Sequence, residues 1–107
     1  MTQPAKHHQP FDPANFPALQ EFFPAYFHED FAEEYGSAEG ALKTFLADAN
    51  GDEILALKEE WRALDNSLQG RPLAAVQSVL EKLGSAWQPQ SEAEWKALGE
   101  ILSRAEA

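Results

Sequence analysis

Residues 22–36 read Phe22-Phe23-Pro24-Ala25-Tyr26-Phe27-His28-Glu29-Asp30-Phe31-Ala32-Glu33-Glu34-Tyr35-Gly36, with six aromatic side chains and four carboxylates. Aromatic residues at helical spacing call for burial, whereas a dense carboxylate cluster calls for water or a cationic neighbour. Leu19, Phe22, Phe23, Tyr26 and Phe27 follow an i, i+3, i+4, i+7 rule, which predicts a helix. If it ran unbroken to Tyr35, at about 100° per residue, Asp30 and Glu34 would enter the arc of Leu19, Phe23 and Phe27 and bury charge. A break near His28-Glu29 avoids this. Asp30 is then expected as N-cap and Glu33 as the reciprocal partner of a capping box, opening a short helix that stops at Gly36.

Upstream, Asn15 or Phe16 is expected at the N-cap and Pro17 in the first turn, where no amide donor is lost. Pro24 falls inside the pattern and predicts a kink or a tighter first turn, because its ring crowds the Gln20 carbonyl. Residues 1–14 hold Pro4, Pro10 and Pro13 and little to bury, and read as a flexible leader. The helical domain is expected over residues 15–107.

Downstream, Ser37 is expected to cap a helix through Leu42, Phe45 and Leu46, with Asn50-Gly51 closing it in a left-handed conformation. Gly40 stands where a capping-box Glu would be. Asp52 is then expected to cap a long helix whose stripe is Ile54, Leu57, Trp61, Leu64 and Leu68, ended by Gln69-Gly70. Pro72 opens the next, with Leu73, Val76, Leu80 and Leu83 before Gly84. After a loop holding Trp87 and Pro89, Ser91 with Glu94 forms a capping box for a last helix buried through Trp95, Leu98, Ile101 and Leu102. Trp61 and Trp95 complete helical stripes and belong to the core; Trp87 either plugs the core or stands exposed. No strand signal competes, so the prediction is an all-α bundle of about five helices with short connections.

The chain has 107 residues, enough for one domain that buries about 60–70 % of the surface its unfolded form exposes. It contains no cysteine, which excludes disulfides, thiolate metal sites and cysteine nucleophiles. No stretch approaches the roughly 18 apolar residues of a membrane span, and the N-terminus lacks a signal-peptide core, so a cytoplasmic location is expected. The net charge is −10, and between Phe11 and Leu57 ten carboxylates face one cation, Lys43. Such a surface repels nucleic acid and anionic membranes and attracts a basic partner, although charge of this size also serves solubility.

His28 with Glu29, Asp30, Glu33 and Glu34 is the one place where metal or acid–base chemistry could gather. The spacing matches neither a zincin, which needs a second histidine four residues on, nor the Glu-x-x-His of a di-iron bundle, because Ala25 precedes His28 by three. His7-His8 has no third ligand nearby. With no Gly-rich loop and no recognisable nucleophile, the reading is of a non-enzyme without metal or cofactor. One interpretation of the acidic cluster is a helix break with a solvated face. The other is a docking patch in which Glu29, Glu33 and Glu34 meet a basic protein beside the anchors Tyr26 and Tyr35, while Asp30 caps.

Phe16-Pro17-Ala18-Leu19, Tyr26-Phe27-His28-Glu29-Asp30-Phe31, Glu34-Tyr35-Gly36-Ser37 with Ala41-Leu42 and Phe45-Leu46, and Leu83-Gly84 through Trp87 and Pro89 to Trp95 resemble the small CdiI immunity proteins of bacterial contact-dependent growth inhibition. Pro24 and Gly40 depart from the pattern. The resemblance implies a cytoplasmic inhibitor binding, one to one, the toxic C-terminal domain of a large effector from a neighbouring cell. Many such toxins are nucleases with basic substrate clefts, which an acidic protein would cover. The competing readings are an acidic adaptor or nucleic-acid mimic for another basic protein and, more remotely, a metal-dependent enzyme using His28.

Overall fold

The computed structural model describes residues 11–105. The chain enters through a 3₁₀ turn, Pro13–Asn15, where the Asp12 carboxylate accepts the Ala14 N–H at 2.9 Å. Phe11 stacks on Phe16 with ring centroids 5.5 Å apart, so residues 11–14 of the expected leader lie against the helical unit. Residues 1–10, including His7-His8, lie outside the described residues.

Six α-helices follow: α1 (Pro17–Tyr26), α2 (Phe31–Tyr35), α3 (Ala38–Asp48), α4 (Gly51–Ser67), α5 (Leu73–Lys82) and α6 (Glu92–Arg104). No strand occurs among the described residues. Phe16 is the N-cap residue of α1 and Pro17 its first helical residue. Pro24 sits inside α1, which ends two residues later at Tyr26, so the missing amide falls in its last turn. The break therefore covers 27–30, and α2 ends at Gly36 with φ of 85°.

Three caps differ from expectation. Asp30 precedes α2, but its side chain accepts no hydrogen bond, and the Glu33 and Glu34 amides bond the Asp30 carbonyl instead. The cap of α4 is Asn50 rather than Asp52: Asn50 Oδ1 accepts the Glu53 N–H at 2.8 Å, and Glu53 Oε1 accepts the Asn50 N–H at 2.9 Å. Asn50 has Glu53 at its N3 position, whereas Asp52 would have Leu55 there, so only Asn50 can make a reciprocal box, and the helix starts two residues earlier. Gly51 is accordingly helical rather than left-handed, and the positive-φ glycines among the described residues are Gly36, Gly70 and Gly84. At α6, Ser91 Oγ accepts the Glu94 N–H at 3.2 Å, while Glu94 reaches back to Gln90 N–H rather than to Ser91. Ser37 Oγ accepts the Gly40 N–H at 3.0 Å and opens α3.

The core is aromatic at its centre. Phe22 packs on Phe23, Tyr26, Phe27, Phe45 and Trp61 at centroid distances of 5.1–6.3 Å. α1 lies along α3 and α4, and α6 lies along the same two helices from another side. α5 adds Val76, Val79, Leu80 and Leu83 to the core. The loop after α5 is tied to the break after α1. The Ala86 N–H donates to the Phe27 carbonyl at 2.7 Å, and Trp87 meets Phe27 edge to face at 5.3 Å. Trp87 thus packs half-buried against the core. At Gly84, φ is 95° and a Cβ would stand 3.2 Å from Pro24 Cγ, so conformation and packing both demand glycine.

Candidate partner-docking face

The short helix α2 owes its position to Gly36 and Gly40. A Cβ on Gly40 would collide with the Tyr35 carbonyl oxygen, so the bare Cα lets the first turn of α3 pass the end of α2. This close approach directs Tyr35 toward α1, where its ring meets Tyr26 at 5.7 Å. His28 completes the group. Its Nδ1 accepts the Asp30 N–H at 3.1 Å, which leaves the proton on Nε2, 2.9 Å from Glu34 Oε1. His28 is therefore a structural clamp between the break and α2. Among the described residues no three His, Asp or Glu side chains converge as a metal site.

Of the sequence-predicted contact residues, the structure sets Tyr35 and Glu34 against His28, and Tyr26 against Tyr35. Glu29 and Glu33 are exposed and hydrogen-bonded through their side chains to no described residue. Partial burial, followed by the Glu34 carboxylate, raises the Tyr35 phenol above its ordinary value of 10.0.

On its other side Tyr26 opens onto a groove of about 480 Å³ between α1, α3 and the start of α4. Phe22, Tyr26, Phe45 and Leu57 form the floor, and Glu21, Asp48, Asp52 and Glu53 line it with no cation among the lining residues. Ala18, Ala25, Ala49 and Ala56 keep the walls low. Burial first, then Asp48 and Glu53, raise the Tyr26 phenol above 10.0, so it stays a neutral hydroxyl donor at physiological pH. These four carboxylates come from three helices. Their local density is modest, so the linear cluster at 29–34 outweighs them when the chain is read as a string. The available signal was Ala18, Glu21 and Ala25, small and acidic residues along one side of a helix otherwise built of aromatics.

A groove with an aromatic floor and four carboxylates suits a lysine or arginine side chain, whose stem lies on carbon and whose head meets charge. At its edge Tyr26 meets Tyr35, which lies beside Glu34. A profile of the family described as CdiI immunity protein matches residues 15–98, from the turn before α1 into α6. The chain belongs to the CdiI immunity protein family. Membership in it makes this an immunity protein against a contact-dependent growth inhibition toxin. No curated protein and no solved structure matches the chain. Among the described residues no helix is long and apolar enough to cross a membrane.

Proposed function

We propose that this protein neutralises its cognate toxin domain in the bacterial cytoplasm as a one-to-one complex, without catalysis of its own. The toxin surface it covers is basic, as in a nuclease cleft that binds phosphate. The observation that carries this reading is the groove lined by Glu21, Asp48, Asp52 and Glu53 over aromatic carbon. Carboxylates placed where a substrate's phosphates would lie steer the encounter, and Tyr26 and Tyr35 supply the contact area that excludes water. Glu29, Glu33 and Glu34 extend the same face.

Protection requires almost no free toxin, which implies nanomolar affinity or better, about −12 kcal/mol. An interface of roughly 1,600 Å² in total supports such affinity, more than the α2 carboxylates alone present. The test is co-purification and calorimetry with the domain encoded at the 3′ end of the adjacent large effector gene. Glu21→Lys/Asp52→Lys and Glu29→Lys/Glu33→Lys are measured beside wild type. Tight wild-type binding that the first pair weakens strongly, and the second less, is the expected result. Tight binding untouched by either pair moves the interface elsewhere. No binding of wild type overturns the immunity assignment for this toxin and favours an acidic adaptor of another basic protein.

A further inference from the structure

α4 and α6 enclose another groove, of about 350 Å³, with different chemistry. Trp61 and Trp95 stack at its base, centroids 4.7 Å apart and rings 12° from parallel. The Trp95 indole N–H donates to Asp65 Oδ1 at 2.9 Å. The Trp61 N–H has no acceptor among the described residues, although Trp61 is only 4 % exposed. Every side-chain nitrogen or oxygen sealed from solvent among the described residues has a partner, so Trp61 Nε1 must open to the groove. Gly99 keeps that opening clear: a Cβ there would already touch Nε1 at 3.4 Å.

The walls carry Arg62 on α4 and Lys96 on α6, both exposed and neither ion-paired with a described carboxylate. Lys58 is engaged through Nζ with the Ala105 carbonyl at 2.7 Å. Asp65 and Glu100 also line the groove; Asp65 is held by Trp95, and Glu100 is exposed. An indole donor in a groove with two cations that pair with no described carboxylate calls for an anionic oxygen. With two carboxylates in the walls and a net charge of −10, a dianionic phosphate is disfavoured against a monoanionic carboxylate.

We propose that this groove receives an Asp or Glu side chain of the partner protein, whose carboxylate accepts the Trp61 Nε1–H between Arg62 and Lys96. A free carboxylate in so open a groove would lose translational freedom for one hydrogen bond and two screened charges. One presented by an already docked protein does not bear that loss again. The inference rests on the toxin-binding reading and adds a second contact patch of opposite polarity to the acidic face.

The test uses the ¹⁵N-labelled full chain and the cognate toxin domain. Its three indole N–H signals, one per tryptophan, are assigned with Trp61→Phe. On complex formation the Trp61 signal is expected to move downfield and to become protected from solvent exchange. Arg62→Glu/Lys96→Glu is expected to weaken binding by about tenfold or more, while Arg62→Lys/Lys96→Arg retains it and neither pair changes the melting temperature. A wild-type complex with an unmoved Trp61 signal, and unchanged affinity in the charge-reversed pair, overturns the inference and leaves toxin binding intact. Failure of wild type to bind the toxin domain overturns both.

Discussion

α4 separates two grooves that share an aromatic floor and differ in their rims. Toward α1 and α3 it presents Asp52 and Glu53 from its first turn, joined by Glu21 and Asp48. Toward α6 it presents Lys58 and Arg62, further along, joined by Lys96. The acidic rim sits where the helix dipole favours carboxylates, at the N-terminus, whereas Asp65 in the last turn lines the second groove beside the cations. One helix thus lines one groove with carboxylates as its only charged groups and the other with two cations and Asp65. The aromatic polar atoms differ too: on the acidic side two tyrosine hydroxyls lie near carboxylates, whereas on the other an indole N–H has no acceptor among the described residues.

The largest way to break this comparison is to remove a floor. Phe22 touches five other aromatic rings, and Phe22→Ala should cost about 3–5 kcal/mol in urea unfolding. A cost below about 1 kcal/mol would mean that the acidic groove does not depend on the core beneath it.

Next come two glycines, one on each side. Gly40→Ala should destabilise by about 1–3 kcal/mol, because its Cβ meets the Tyr35 backbone, which cannot rotate away. Gly99→Ala should be neutral or stabilising by up to about 1 kcal/mol, since its Cβ makes ordinary contact with Trp61 and alanine favours the helix. Equal effects at the two positions would contradict the packing described.

Smaller again is a cap supplied across the fold. Glu60 Oε1 accepts the Leu19 N–H of α1 at 3.1 Å, doing for that helix what the Phe16 side chain cannot. Glu60→Ala should cost about 1 kcal/mol and increase amide exchange in the first turn of α1. Exchange left unchanged would remove Glu60 from that role.

The smallest effect is alkaline. The phenols of Tyr26 and Tyr35 are raised above 10.0 in the folded chain, so the fold retains their protons more strongly than the unfolded chain does. Their contribution is fully present below pH 10 and is lost as pH rises through the higher folded values. Stability should therefore fall above pH 10, and less steeply in Tyr26→Phe, as followed by denaturant midpoints.

Much of this arrangement was legible along the chain. The break at 27–30 followed from one physical conflict, because a continuous helix would have buried Asp30 and Glu34. The helices themselves followed from apolar periodicity and their stops at Gly36, Gly70 and Gly84. What remained hidden depends on distance in space. Gly40 looks like a weak cap until the Tyr35 carbonyl lies beside it, and Glu60 acts on an amide 41 residues away. The shift of a cap from Asp52 to Asn50 reflects Glu53, which stands at N3 for Asn50 and can answer its backbone amide, where Asp52 would have Leu55. The groove carboxylates escape linear reading because three helices must assemble before Glu21, Asp48 and Asp52 share a rim.

If an acidic face steers this immunity protein onto a basic toxin surface, as proposed, the association rate carries the signature. Stopped-flow tryptophan fluorescence with the cognate toxin domain should show the association rate constant falling by about tenfold or more between about 0.01 and about 0.5 M salt, as the Debye length shrinks from about 30 Å to a few ångströms. Glu21→Lys/Asp52→Lys should flatten that dependence. An association rate that is insensitive to salt and to the charge reversal would contradict the account.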